Sequence, residues 1–154
     1  MTMNRILLFF VLLCILPLNG ITKAKSSPLF TRQYLMEHKW YPDIYEEEDL
    51  DTSVMTFTLT EQIDSVFTED GDLKVYVCKY YLSNSKDLFF DMNKVGKTMD
   101  GKYLILERTT ETEDNLTFIL EVISMSEEKM VLKHLTEGYT TFGYTMSFYT
   151  SPFR

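Results

Sequence analysis

The sequence predicts an all-β domain built as a single antiparallel meander of about eight strands, and three observations carry that reading. Leu116, Phe118, Leu120 and Val122 alternate with Thr117, Ile119, Glu121 and Ile123, the period-two signature of a strand. A polar connection, Ser124 to Glu128, then leads into Met130, Leu132 and His134, which resume the alternation and make the pair an antiparallel hairpin. The same grammar recurs upstream with turn residues at short intervals and no clear strand–helix–strand pattern. Short sequential strands of this kind close most simply into an up-and-down barrel, with a two-sheet sandwich as the second choice.

In chain order, residues 1–24 read as a signal peptide. Arg5 supplies a charged start, Ile6 to Leu16 is almost unbroken apolar sequence, and Pro17, Asn19 and Gly20 end it. About a dozen apolar residues fall short of the roughly 20 that a spanning helix needs. Cleavage is expected after Gly20 or Ala24. A lipid anchor on Cys14 is disfavoured, because Leu13 stands where a small residue is wanted. The protein is therefore expected to be exported, periplasmic or secreted, without stable membrane insertion once the signal is cut.

Residues 25–34 form a small-residue and polar entry, read as flexible, and the β domain occupies 35–154. Arg32 to Trp40 (RQYLMEHKW) makes a short helix or leads straight into a first strand, with Pro42 ending any regular element at Tyr41. Glu46 to Asp51 is the one concentrated charge run, read as a solvated loop. Met55, Phe57 and Leu59 alternate with threonines as a half-buried strand. Ile63 to Phe67 is a shorter strand that ends at a Glu69-Asp70-Gly71 turn. Leu73 to Leu82 is apolar on both faces, so it is either covered on both sides or offers Tyr76 and Tyr80 to a ligand. Leu88 to Phe90 is read as a returning segment. Asp100-Gly101 is read as a hairpin turn opening the strand Tyr103 to Thr109. The last strand is placed at Tyr139 to Thr150, where Phe142, Tyr144, Met146 and Phe148 alternate with Thr141, Gly143, Thr145 and Ser147.

Charge and cysteine count narrow the partners. The formal charge is −8, and loss of Arg5 and Lys23 with the signal takes it to about −10. Such a surface repels phosphate backbones, and no basic cluster longer than a pair occurs, so nucleic acid is not an expected partner. Cys78 is the single cysteine outside the signal, so stability rests on burial rather than a disulfide, and a bacterial envelope address fits better than a eukaryotic secreted one. Cys78 alternates into an apolar strand and reads as a small buried hydrophobe.

Signatures of chemistry are missing. The sequence contains no GxSxG, no phosphate-binding loop, no GxGxxG and no HExxH. His38, His134 and Cys78 lie on three separate segments, so neither a metal nor another cofactor is expected, and the chain is read as non-enzymatic. The aromatics are the stronger lead: ten tyrosines, eleven phenylalanines and nine methionines. A barrel of about eight strands is either filled by side chains or holds one small ligand. Tyr76, Tyr80, Phe142, Tyr144, Met146 and Phe148 are the residues that alternation assigns to such an interior, with Trp40 near its first strand.

A tryptophan near the mature N-terminus, a meander of short strands and the penultimate ILEVISMSEEKMVLKHL hairpin resemble the small bacterial lipocalin-like domains. Their first strand typically carries Gly-x-Trp; His38-Lys39-Trp40 keeps the tryptophan and replaces the glycine. The resemblance covers about Leu35 to Tyr149 and implies a cup-shaped barrel without catalytic residues. The leading expectation is an exported protein that binds a small apolar or amphipathic molecule in the barrel. The alternative is a cell-envelope interaction module with a filled core that docks a protein partner of unspecified kind.

Overall fold

The computed structural model describes residues 30–43, 52–68, 70–109, 115–138 and 142–152. The segment read as a signal peptide and the acidic run 46–51 lie outside the described residues. Helix α1 (Arg32–Glu37) is followed by β1 (Tyr41–Pro42), β2 (Thr52–Phe57), β3 (Glu61–Phe67) and β4 (Leu73–Ser83). The meander continues with β5 (Tyr103–Thr109), β6 (Asn115–Met125), β7 (Lys129–His134) and β8 (Thr145–Tyr149). All eight strands lie in one antiparallel sheet in the order β1-β8-β7-β6-β5-β4-β3-β2. The sheet curls until its ends meet. Tyr41 and Pro42 pair with Tyr149 and Phe148 on one side. One residue earlier, Trp40 and Met55 exchange both backbone hydrogen bonds, at 2.9 and 2.8 Å. The fold is an all-β barrel, and the two short pairings beside Trp40 join its first and last strands.

Alternation along each strand sorts side chains into an inner and an outer set. Down β4 the inner set runs Tyr76, Cys78, Tyr80, Leu82 at 39%, 7%, 1% and 0% exposure. One end of the barrel is thus open and the other closed. Helix α1 covers the closed end. Thr31 caps it by accepting from the Tyr34 backbone N–H. Leu35 and Trp40, both fully buried, plug the floor beneath it with Phe30, Met130 and Leu132. The entry segment assigned to 25–34 therefore divides: 25–29 are outside the described residues, whereas Phe30 and Arg32 are buried at the closed end. Phe30 carries enough apolar surface to be worth burying there, and Arg32 is held by its backbone N–H to Met99.

Three strand assignments need correction. Residues 88–90 form no strand, because 84–102 folds back as a loop over the outer wall. Phe90 packs on Tyr81 (ring centroids 5.2 Å), and Val95 joins the same outer cluster with Ile105 and Ile119. Asp100-Gly101 is part of this loop rather than a hairpin turn, and Asp100 bridges to Thr31. The last strand starts at Thr145. Gly143 takes a left-handed φ of +79°, and His134 faces two residues here, its carbonyl accepting from the Gly143 N–H and its N–H donating to the Tyr144 carbonyl, so the chain bulges before β8. Phe142 and Tyr144 consequently leave the alternation.

Asp87 anchors the loop. Burial alone would raise its pKa, but hydrogen bonds from Lys94, Ser85, Tyr81 and Ser83 outweigh that and hold it down to about 2. A carboxylate with a lowered folded pKa stabilises fully above its unfolded value, about 4, and ceases to as pH falls through about 2. Asp87→Asn is therefore expected to lower the urea midpoint at neutral pH, with the gap to the parent narrowing as pH is taken from about 4 towards 2. A gap independent of pH would show that shape, not charge, is what Asp87 contributes.

Candidate functional site

A cavity of about 240 Å³ lies inside the open half of the barrel. Strand parity builds it. The inner positions of β2, β5, β6 and β8 supply its apolar wall: Met55, Leu106, Phe118, Leu120, Met146 and Phe148. Strand β4 adds Tyr76 and Cys78. Four polar side chains complete the lining: Gln62 and Asp64 on β3, Arg108 on β5 and His134 on β7. The wall is mostly apolar, with these four polar side chains set among it.

Those polar groups are organised. Gln62 is almost fully buried and hydrogen-bonds the Asp64 carboxylate. Burial pushes the Asp64 pKa up, opposed by that hydrogen bond and by the positive charge of Arg108. The Arg108 guanidinium lies over the Tyr76 ring, 5.1 Å from its centroid. Arg108 and Asp64 face one cavity without forming an ion pair of the kind that joins Lys79 to Glu61 or Lys102 to Glu121. His134 is buried, with its ring 6.0 Å from that of Phe118. Burial pushes the Cys78 thiol up to about 11, a shift that Arg108 opposes and Asp64 reinforces, so at neutral pH it is a protonated wall residue and not a nucleophile.

Of the seven residues expected to line a ligand site, Tyr76, Met146 and Phe148 stand in the cavity wall. Trp40 and Tyr80 do not. Both are buried in the packed closed end, where the Trp40 indole N–H donates to the Leu35 carbonyl and the Tyr80 hydroxyl to the Thr58 carbonyl. Burial raises the Tyr80 hydroxyl to about 12, which keeps it a neutral donor. Phe142 and Tyr144 belong to the exposed turn before β8, and Tyr144 is 64% exposed. Aromatic alternation passed over Gln62, Asp64 and Arg108. Their signal was a polar residue on the inward parity of a strand: Arg108 continues Leu104 and Leu106, and Gln62 and Asp64 pair with Cys78 and Tyr76.

Compared with protein-family models, curated proteins and solved structures, the chain gives no significant match in any of the three.

Proposed function

We propose that this protein is an exported, non-enzymatic, lipocalin-like barrel that binds one small apolar or amphipathic molecule in its open half. The single observation that carries the reading is the cavity of about 240 Å³ between Met55, Phe118, Met146 and Phe148, with polar side chains set among apolar ones. The buried cluster that contains Leu82, Leu104 and Met130 at the closed end continues into Leu106 and Leu120 of the cavity wall, so the space lies beside a packed core rather than in an unfilled one. Export is supported by the apolar segment Ile6 to Leu16 after Arg5.

Native mass spectrometry of the mature domain, purified from cell extract without detergent, tests this reading. A discrete added mass that is lost on denaturation is expected. Met146→Trp should abolish the added mass by filling the cavity, while Tyr144→Ala, at an exposed turn, should leave it unchanged. A protein without added mass that also fails to bind octanol would turn attention to the outer wall. There Leu73, Val75 and Val77 of β4 are exposed, and Leu73 stands opposite exposed Phe67 of β3. That apolar strip supports the second reading, an envelope module that docks a protein partner.

A further inference from the structure

The geometry points to a medium-chain monocarboxylate as the guest, its carboxylate on the Arg108 guanidinium and its hydrocarbon against Leu106, Phe118, Leu120, Met146 and Phe148. This deepens the proposed function and rests on it.

Position comes first. Along β5 the inner residues run from half-buried Arg108, near the mouth, through Leu106 to fully buried Leu104. A guest entering tail-first meets apolar wall below and a cation at the rim. That cation is the single arginine or lysine among the described residues of the lining. Among the described residues it stacks on the face of Tyr76 and is electrostatically coupled to Asp64, but no carboxylate lies within ion-pair distance of its planar N–H fork. Arginine matches a carboxylate with two parallel hydrogen bonds and is more weakly hydrated than an ammonium, which suits a half-buried rim. Size sets the chain length. About 240 Å³ lies below the roughly 300–1,000 Å³ of pockets that enclose drug-sized ligands, so the space accommodates a medium-length chain, and a longer one would extend out through the open mouth.

Asp64 makes the binding proton-coupled. Its carboxylate faces the same space, so when ionised it repels the guest's headgroup; when protonated it can donate to it. The groups facing it are Gln62 on its own strand, Tyr76 and Cys78 from β4, Arg108 from β5 and His134 across the cavity on β7. Carboxylate affinity should therefore rise as pH falls. Protonation of His134 would act in the same direction, so Asp64→Asn is needed to separate the two.

The test is calorimetric titration of the mature protein with octanoate, octanol and octylammonium, three guests of equal chain length that differ in headgroup charge. Octanoate should bind roughly tenfold to a hundredfold more tightly than octanol, the range for a hydrogen bond to a charged group. Arg108→Gln should erase that difference by lowering octanoate affinity far more than octanol affinity, and circular dichroism checks that the variant is folded. As pH is lowered while octanoate stays ionised, parent affinity for octanoate should rise, with less rise in Asp64→Asn. Equal affinities for octanoate and octanol, or tightest binding of octylammonium, overturn the carboxylate assignment and leave the binding barrel standing. The series on the parent protein decides this even if Arg108→Gln fails to fold. No binding of any of the three at millimolar concentration overturns both readings.

Discussion

Trp40→Ala is expected to remove about 3–5 kcal/mol of folding stability, a large part of the roughly 5–15 kcal/mol that holds a domain of this size together. The indole is fully buried and joins the floor of the barrel to helix α1. Its ring lies 6.1 Å from Tyr34 and 5.8 Å from His38, both tilted contacts, and its N–H satisfies the Leu35 carbonyl at 3.2 Å. Its backbone makes the Trp40–Met55 bridge, so the residue that fills the floor also ties the segment leading into β1 to β2, at the other end of the sheet order. Truncation leaves a void beneath a helix of six residues, too short to persist without the face it buries. Urea unfolding followed by far-ultraviolet circular dichroism measures the loss, since the substitution removes the sole tryptophan as a fluorescence reporter. Trp40→Phe should cost less, mainly the Leu35 hydrogen bond, and leave guest binding unchanged because Trp40 is not in the cavity wall. A loss below about 1 kcal/mol for Trp40→Ala would mean that the floor collapses around the void and that other contacts hold the barrel closed.

Period-two alternation located the strands well where one residue type repeats on one face. The strand read at Tyr103 to Thr109 coincides with β5, and the penultimate hairpin with β6 and β7. It failed where one glycine redirects the chain, as at Gly143, and where apolar residues cover an outer wall, as Phe90 covers Tyr81. Both are tertiary facts, since a side chain that packs on the outside of a barrel has the same hydropathy as one that packs inside. The site was half legible for a related reason. Parity placed Tyr76, Met146 and Phe148 inwards, but it does not tell which level of a barrel is packed and which is hollow. Trp40 and Tyr80 point inwards too and fall at the filled level. Nor does hydropathy mark Arg108 and Asp64 as sharing one cavity, because they stand on strands on either side of β4 and come together only through the registers of two successive pairings.

Gly101→Ala should be the costliest of the glycine substitutions, at or above about 3 kcal/mol, for a reason unrelated to backbone torsion. A Cβ at this position would lie 2.5, 2.6 and 2.8 Å from the N, O and C atoms of Ser83, all of them backbone. No rotamer relieves that contact; either the loop or the end of β4 must move. Movement there is expensive, because the Lys102 N–H donates to the Ser83 carbonyl at 2.8 Å and Ser83 pairs with Tyr103 at the start of the β4–β5 ladder. The same loop holds helix α1 through the Arg32 N–H to Met99 and the Thr31–Asp100 bridge, so a displaced loop also loosens the floor that Trp40 fills. Gly143 provides the contrast. Its φ of +79° disfavours alanine, yet nothing stands within 4 Å of an added Cβ, so Gly143→Ala should cost only the left-handed penalty of about 1–2 kcal/mol. Thermal unfolding ranks the two, and amide exchange shows where the damage lies: Gly101→Ala should speed exchange at Lys102 and Arg32 together, while Gly143→Ala should affect His134 and its neighbours. If Gly101→Ala unfolds at the parent temperature, the loop has room to retreat from β4, and its hold on the helix is looser than the backbone contact implies.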